Sequence, residues 1–349
     1  MAGAATGPRQ TGFSLVELMV GLTLGLMLIA GAVSIYLATK KSYTEVEQVA
    51  ALTENARFAE QIVGESLRHM GFLGEVTANK VEVAPGLAAP AGDCASPAAA
   101  GAYNLARLGY AVTVASDGSA LGCITDGVAG TDVLVIKRAL PQPLSSGSRV
   151  RDPHDPPSGI IDFPPTNDGT PVLKDGRTYV MTNNVMGLLF DGATPPSITT
   201  GGKIPGGTAW EYQYEVFYIR QENPGDIPML SRRVLSYNGA DAMEFTTEDI
   251  AEGVENLQLL FGYDSDGNGD VDTYKDLVAI EASGNWQDVE SVEVFMLVRS
   301  ATSDAQYTDA KTYRLGDVTV GPLNDHFRRL ISHTSVSLRN LKLMIRGGA

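Results

Sequence analysis

The sequence Gly12-Phe13-Ser14-Leu15-Val16-Glu17 opens a long apolar run in which Glu17 is the only charged residue up to Thr39. Residues 13–39 are long enough to cross a hydrocarbon core, which needs about 20 residues. An acid within a membrane-length helix is costly to bury and usually has a function. The segment therefore predicts a membrane-spanning helix in which the Glu17 carboxylate is accommodated by a partner, by a polar position at the lipid interface or by protonation.

The helical pattern continues beyond the apolar run. Between residues 40 and 70, apolar side chains recur at spacings of three and four, which is typical of an amphipathic helix. These residues are Val46, Val49, Leu52, Ala56, Ala59, Val63, Leu67 and Met70. No proline interrupts residues 13–70, and Gly71 is well placed as the C-terminal cap. We expect one helix, about 87 Å long at 1.5 Å per residue, with a transmembrane half (13–39) and an amphipathic half (40–71).

The hexapeptide at 12–17 resembles the processing site of type IV prepilins and pseudopilins. In that family a membrane peptidase cuts after the glycine, the new N-terminal residue is methylated, and the retained helix anchors the subunit. The resemblance implies a leader over residues 1–12, cleavage between Gly12 and Phe13, and N-methylation of Phe13. It also implies that Glu17 is the assembly glutamate, which pairs with the N-terminal nitrogen of a neighbouring subunit.

Flanking charge is a poor guide to orientation, since Arg9 precedes the apolar run while Lys40 and Lys41 follow it. Taken alone, the positive-inside rule slightly favours a cytoplasmic head. The family resemblance implies the opposite: a single-pass inner-membrane protein with a cytoplasmic leader and a periplasmic head, which later joins a fibre on the cell surface. A secretory signal peptide fits less well, because its apolar core is shorter and precedes a small-residue cleavage site.

Beyond Gly71 the sequence changes to short strand-like runs separated by turn residues. The clearest cover 132–140, 210–220, 230–237, 254–263, 289–299 and 330–338. Residues 289–299 are apolar at both alternating sets of positions, which indicates a central strand covered on both faces. Strands without intervening helices favour a mainly antiparallel sheet. The predicted fold is therefore α+β and type IV pilin-like, with the long helix packed on a β-rich head (72–349) with elaborated loops.

Two stretches of the head are predicted to be loops. Residues 84–102 are rich in alanine, glycine and proline, and residues 141–171 contain eight prolines. Prolines at that density exclude interior strands, so 141–171 is predicted to be an excursion or a linker. The head could be two lobes divided by this segment or one elaborated domain.

The composition excludes one class of partner and suggests one cross-link. The formal net charge is −15 and no block of basic residues occurs, so nucleic-acid binding is not expected. The chain has two cysteines, Cys94 and Cys123. If the head is extracytoplasmic, we expect them to form a disulfide that closes a loop of roughly 30 residues and stabilises the fold by about 3 kcal/mol.

An acidic segment in the head has the spacing of a calcium loop. Asp264, Asp266, Asn268 and Asp272 occupy positions one, three, five and nine of an EF-hand-type loop, with glycine at position six. Asp270 adds another carboxylate. The twelfth position, normally a glutamate, is Lys275, so Asp276 could substitute only in a different geometry. The alternative is a solvated acidic turn, because Asp, Asn and Gly are the commonest turn residues. We favour Ca²⁺, since the like charges would otherwise repel one another.

No enzyme motif stands out: the chain lacks zinc-ligand spacing, a Gly-x-Ser-x-Gly elbow and a Walker loop. We therefore expect a protein that is not an enzyme and name no catalytic residue. A narrower resemblance to PilW-type minor pilins rests on three features. They are the Arg-His-Met-Gly-Phe end of the helix (68–72), the aspartate-rich loop after a tyrosine-bearing strand, and the terminal Leu-Arg-Asn-Leu (338–341).

This resemblance implies a minor pilin that helps to initiate type IV pilus assembly, near the fibre tip, and so supports twitching motility. Its implied partners are the prepilin peptidase, other minor and major pilins, the inner-membrane assembly platform and, as a further candidate, a tip adhesin. Two alternatives are a J-like minor pseudopilin of type II secretion and a calcium-dependent adhesin carried by the pilus. A membrane-tethered enzyme ranks below both.

Overall fold

The computed structural model describes residues 12–146, 173–198, 200–239, 242–284 and 286–340. The proposed leader therefore lies outside the described residues except for Gly12. The proline-rich stretch is described only from 141 to 146. The chain divides into two compact units, Met1–Ala51 and Leu52–Ala349, and helix α1 (Leu15–Arg68) contributes to both.

In the first unit, the described residues consist of Gly12, Phe13, Ser14 and the apolar part of α1. No residue of α1 before Leu52 is buried. An 18-residue window of the helix has a mean hydropathy of 2.3 and none of it is buried, so by length and composition it could cross a membrane. The helix is slightly shorter than the predicted range 13–70. Gly71 adopts a φ of +81°, the left-handed conformation expected just beyond a helix end.

The second unit contains the end of α1, a second short helix and the strands of the head. Helix α2 spans Leu277–Ser283. The strands are β1 (Val81–Val83), β2 (Gly109–Thr113), β3 (Asp132–Ala139), β4 (Ser145–Ser146), β5 (Thr178–Thr182), β6 (Gly187–Asp191), β7 (Thr208–Arg220), β8 (Met229–Tyr237), β9 (Met243–Glu252), β10 (Val254–Tyr263), β11 (Thr273–Lys275), β12 (Val289–Arg299), β13 (Tyr313–Leu315), β14 (Val318–Val320) and β15 (Arg329–Ser337).

Nine of the described strands form the larger sheet, in which the long strand β7 is central. The order is β1-β6-β5-β7-β3-β2, with β4 and β8 also pairing with β7, and β9 pairing with β8. Its pairs are antiparallel except β1 with β6, which is parallel. A smaller antiparallel sheet has the order β11-β10-β12-β15, and β13 and β14 form a hairpin. The prediction of an α+β head with a mainly antiparallel sheet is confirmed.

Helix α1 and the two sheets share one hydrophobic core. The helix contributes Leu52, Ala56, Ala59, Val63 and Leu67, which are at most 4% exposed. They pack with residues of the larger sheet, such as Ile136 and Phe217, and of the smaller sheet, such as Leu257 and Val294. The predicted apolar face is therefore confirmed from Leu52 onward, whereas Val46 and Val49 are exposed.

Strand β12 is covered on both faces, as its sequence predicted. Val292 and Val294 belong to the core shared with α1. On the opposite face, Leu297 is fully buried against Tyr313 and Leu315 of the β13–β14 hairpin. The helix and this hairpin are thus the two covering layers.

The other face of the larger sheet is covered by the alanine-rich loop. Cys94 and Cys123 form the expected disulfide, across a sequence separation of 29 residues. Buried donors on the sheet hold the loop: Tyr214 Oη donates to the Ala100 carbonyl (2.6 Å), and Lys137 Nζ donates to the carbonyls of Ala99 (2.8 Å) and Asn104 (2.7 Å). These bonds satisfy backbone acceptors that the irregular loop would otherwise leave unpaired beneath the surface.

The expectation that no helix interrupts the head strands is wrong at α2. Asp276 is its N-cap, accepting a hydrogen bond from the Ala279 amide (2.7 Å), and Gly284 ends the helix with a φ of +68°. A seven-residue helix is too short to show a clear helical period in the sequence.

Candidate functional site

Two groups of residues are candidates for function, and the first is the N-terminal end of α1. Gly12, Phe13 and Ser14 precede the helix without regular structure, and Phe13 is 90% exposed. Among the described residues, no atom other than those of Gly12 and its chain neighbours lies within 4 Å of the position that a Cβ at Gly12 would take. The Gly12–Phe13 peptide bond is therefore accessible within this chain.

Glu17 forms a capping box with Ser14. The Ser14 amide donates to Glu17 Oε2 (3.0 Å), and the Glu17 amide donates to Ser14 Oγ (3.2 Å). This reciprocal pair satisfies two backbone amides at the start of the helix. The Glu17 side chain is also exposed within the described part of the chain. The carboxylate therefore completes the helix start and can still accept a bond from another molecule.

The second candidate is the loop between β10 and β11, which places three carboxylates together. One oxygen each from Asp264, Asp266 and Asp272 lies within 4.8 Å of the others. Asp264 is 6% exposed, and the other two are exposed. Oxygen atoms of several carboxylates around a tight turn are the donor set that Ca²⁺ prefers.

Backbone amides hold Asp264 at the base of this loop. Its Oδ1 accepts from the amides of Asp266 (3.2 Å) and Gly267 (2.7 Å), and its Oδ2 accepts from Gly269 (2.6 Å). Burial raises the pKa of Asp264, but these amides outweigh it, so the pKa lies below its usual value. The carboxylate is thus ionised at neutral pH.

Asp272 is held in a similar way at the far end of the loop. Its Oδ2 accepts from the Ser265 hydroxyl (2.6 Å) and the Ser265 amide (2.8 Å). These bonds from Ser265 lower the pKa of Asp272. Both ends of the loop therefore present fixed, ionised carboxylates.

The remaining predicted ligands, Asn268, Asp270 and Asp276, are not part of the group formed by Asp264, Asp266 and Asp272. Asn268 donates through Nδ2 to Asp266 (3.1 Å) and accepts from the Asp270 amide (2.7 Å). The Asp270 carboxylate is not part of the three-carboxylate group, and Asp276 caps α2. Lys275, at the twelfth position, places its ammonium 3.2 Å from the centre of the Tyr263 ring.

Sequence reasoning missed two residues of these groups, Ser14 and Ser265. Ser14 and Glu17 fit the capping-box pattern Ser-x-x-Glu before an apolar run, so the sequence did carry that signal. Ser265 bonds Asp272, which is seven residues away, and a contact at that spacing depends on how the loop closes.

Two known family models match the chain, and each covers one of the two candidate groups. Residues 7–33 match the prokaryotic N-terminal methylation motif. Residues 216–340 match the family of the type IV pilus-assembly protein W, from β7 through the aspartate loop and the smaller sheet. No curated protein and no solved structure matches the chain significantly.

A methylation motif that includes the start of an apolar helix, followed by a β-rich head, is typical of a type IV pilin-like protein. The two matches together are those of a prepilin-type pilin of the PilW family. Matches to these pilin families imply interactions with other pilins and with the pilus machinery.

Proposed function

We propose that this chain is a minor pilin that takes part in initiating type IV pilus assembly, near the fibre tip and beside other minor pilins. The observation that carries the proposal is the apolar half of α1, which is exposed along its length and has one acid at its start. An exposed apolar helix of membrane length must be covered by lipid or by other helices.

The position of Glu17 supports assembly through the helix. Its carboxylate lies at the first turn, next to the new N-terminus that cleavage after Gly12 would create. In a low-dielectric helix bundle, an unpaired carboxylate is costly, whereas one paired with the terminal nitrogen of a neighbouring subunit is not. The chain would thus be a substrate of the prepilin peptidase, reach the inner membrane with its head in the periplasm, and be extracted by the assembly platform into the fibre.

Deletion of the gene, followed by complementation with the full chain, tests this function. We expect the deletion to abolish surface fibres and twitching motility, and complementation to restore both. Exoproteins trapped in the periplasm with normal fibres would instead support the J-like secretion pseudopilin. Normal fibres with lost surface attachment would support the pilus-borne adhesin, and either result would overturn the proposal.

We propose in addition that the loop at Asp264 binds Ca²⁺ through Asp264, Asp266 and Asp272. The closeness of three ionised carboxylates favours this, because a divalent cation would offset their mutual repulsion. Asn268 and Asp270 are further candidate ligands, whereas Asp276 would have to leave its cap. The role is structural, fixing the connection between β10 and β11.

Calorimetric titration of the full chain in nonionic detergent tests this second proposal. Asp266→Ala removes one ligand, and Asp117→Ala is the matched control, since Asp117 is an exposed turn aspartate outside the loop. We expect saturable binding that Asp266→Ala weakens and Asp117→Ala leaves unchanged. The absence of affinity below the millimolar range would refute it.

A further inference from the structure

A cavity of about 130 Å³ lies in the head beside the end of α1. The larger sheet contributes Tyr110 and Leu134 to its wall, and the smaller sheet contributes Phe261 and Val292. Met70 and Trp286 close two further sides. None of the residues that line the cavity belongs to the Asp264 loop.

Three aromatic rings converge on this cavity. The Trp286 ring lies 5.7 Å from the Tyr110 ring and 5.2 Å from the Phe261 ring, measured between centroids. The Trp286–Phe261 pair is edge-to-face, an arrangement that aromatic rings favour. A planar ring bound here would contact the faces and edges of these aromatic side chains on several sides.

The partly exposed side chain of Arg107 also lines the cavity. Its guanidinium lies 5.5 Å from the centre of the Tyr110 ring and 6.0 Å from that of Trp286. Arg107 pairs with Glu281 (3.2 Å), which also accepts from Trp286 Nε1 (3.1 Å). Because the Arg107 and Glu281 side chains are 32% and 40% exposed, the ion pair is weak and can open at small cost.

We propose that this cavity binds a small neutral aromatic molecule about the size of one benzene ring. An apolar cavity of about 150 Å³ stays dry and binds benzene, which is a close match in size and lining. A charge placed deep in the cavity is disfavoured, because it would lose water without gaining a partner among the apolar walls away from Arg107. The ligand enters when the Arg107 side chain moves aside, and the ligand then stacks against the Trp286 ring.

Fluorescence of Trp286 measures this binding in the full chain. The background variant Trp210→Phe leaves Trp286 as the only tryptophan, since the chain has two. The probe is benzene, in nonionic detergent, and pyrazine is the comparison ligand because it has the same shape but is polar. We expect a saturable change with benzene, a dissociation constant in the millimolar range, and a much weaker response to pyrazine.

Two variants separate cavity binding from partition into micelles. Ala78→Leu fills the cavity from its rim and should weaken benzene binding roughly tenfold or more. Val278→Leu enlarges an exposed side chain of α2, outside the lining, and should leave binding unchanged. If Ala78→Leu does not fold, Leu134→Phe fills the cavity from the β3 wall. A response that does not saturate, or that is equal in filled and unfilled variants, overturns the proposal.

Discussion

Asp132 links the two sheets through a buried carboxylate, and its replacement by asparagine gives a prediction with a defined size. The residue is 4% exposed. Oδ2 accepts from the Leu259 amide of β10 (2.9 Å), and Oδ1 accepts from the Thr113 hydroxyl (3.0 Å). Burial raises the pKa of Asp132 from 3.8 to about 7, although both hydrogen bonds act in the opposite direction.

The sign of the pH dependence follows from this raised pKa. Between pH 4 and pH 7 the folded protein holds a proton on Asp132 that the unfolded chain has lost. The contribution of Asp132 to the free energy of unfolding is therefore fully present below pH 4 and is lost as the pH rises to about 7. A rise of about three pKa units corresponds to a change of about 4 kcal/mol in the free energy of unfolding.

Asp132→Asn should remove this loss, because asparagine does not ionise and its carbonyl can still accept from the Leu259 amide. We expect the variant to match the parent within about 1 kcal/mol at pH 4 and to be more stable by up to about 4 kcal/mol at pH 8. Urea unfolding of the full chain in detergent, followed by tryptophan fluorescence, measures the difference.

Comparing the two proteins at each pH cancels the titration of the other carboxylates. A stability difference that does not change between pH 4 and pH 8 would refute the reasoning. So would a variant that is less stable than the parent at pH 8, because the ionised Asp132 would then be stabilising the fold.

Three further predictions concern the disulfide, the helix core and the acidic loop. Cys94→Ser should lower the free energy of unfolding by about 3 kcal/mol and leave the Cys123 thiol reactive, as urea unfolding and a thiol assay would show; unchanged stability would contradict this. Ala59 is fully buried, so Ala59→Leu should destabilise the head by about 1–3 kcal/mol through overpacking; an equal or higher urea midpoint would contradict it. Added Ca²⁺ should raise the thermal midpoint of the parent but not of Asp266→Ala; an equal rise in both would exclude the loop as the site.

The sequence was informative where a pattern is local and repeated. The spacing of Leu52, Ala59 and Val63 predicted the face of α1 that packs in the head, and the two-faced apolar pattern predicted that β12 is covered on both sides. The prepilin hexapeptide predicted the start of the helix within two residues.

Other features depend on contacts between distant residues. The parallel pairing of β1 with β6 is set by where the intervening chain returns, and short strands carry little sequence signal. Lys137 lies within a strand, and the carbonyls of Ala99 and Asn104 that it binds are more than 30 residues away. In the acidic loop, the spacing gave several candidate ligands, but which of them lie together depends on the backbone, which brings Asp272 rather than Asp270 close to Asp264. Gly267 and Gly269 have φ values of +77° and +92° there.

The capping box makes it possible to separate two roles of Glu17. Glutamine at this position can still accept the Ser14 amide, so Glu17→Gln keeps the helix start but removes the charge. Ser14→Ala does the reverse, since it removes the hydroxyl cap and keeps the carboxylate. Glu47→Leu removes an exposed acid elsewhere on α1 and serves as the control.

The most direct measurement is the amount of each variant in sheared fibres relative to the processed amount in the membrane. We predict that Glu17→Gln is cleaved and methylated but enters fibres roughly tenfold less than the parent, because its neighbour's terminal nitrogen loses a charged partner. Ser14→Ala and Glu47→Leu should enter fibres almost normally. Normal incorporation of Glu17→Gln would contradict the claim that this carboxylate directs assembly.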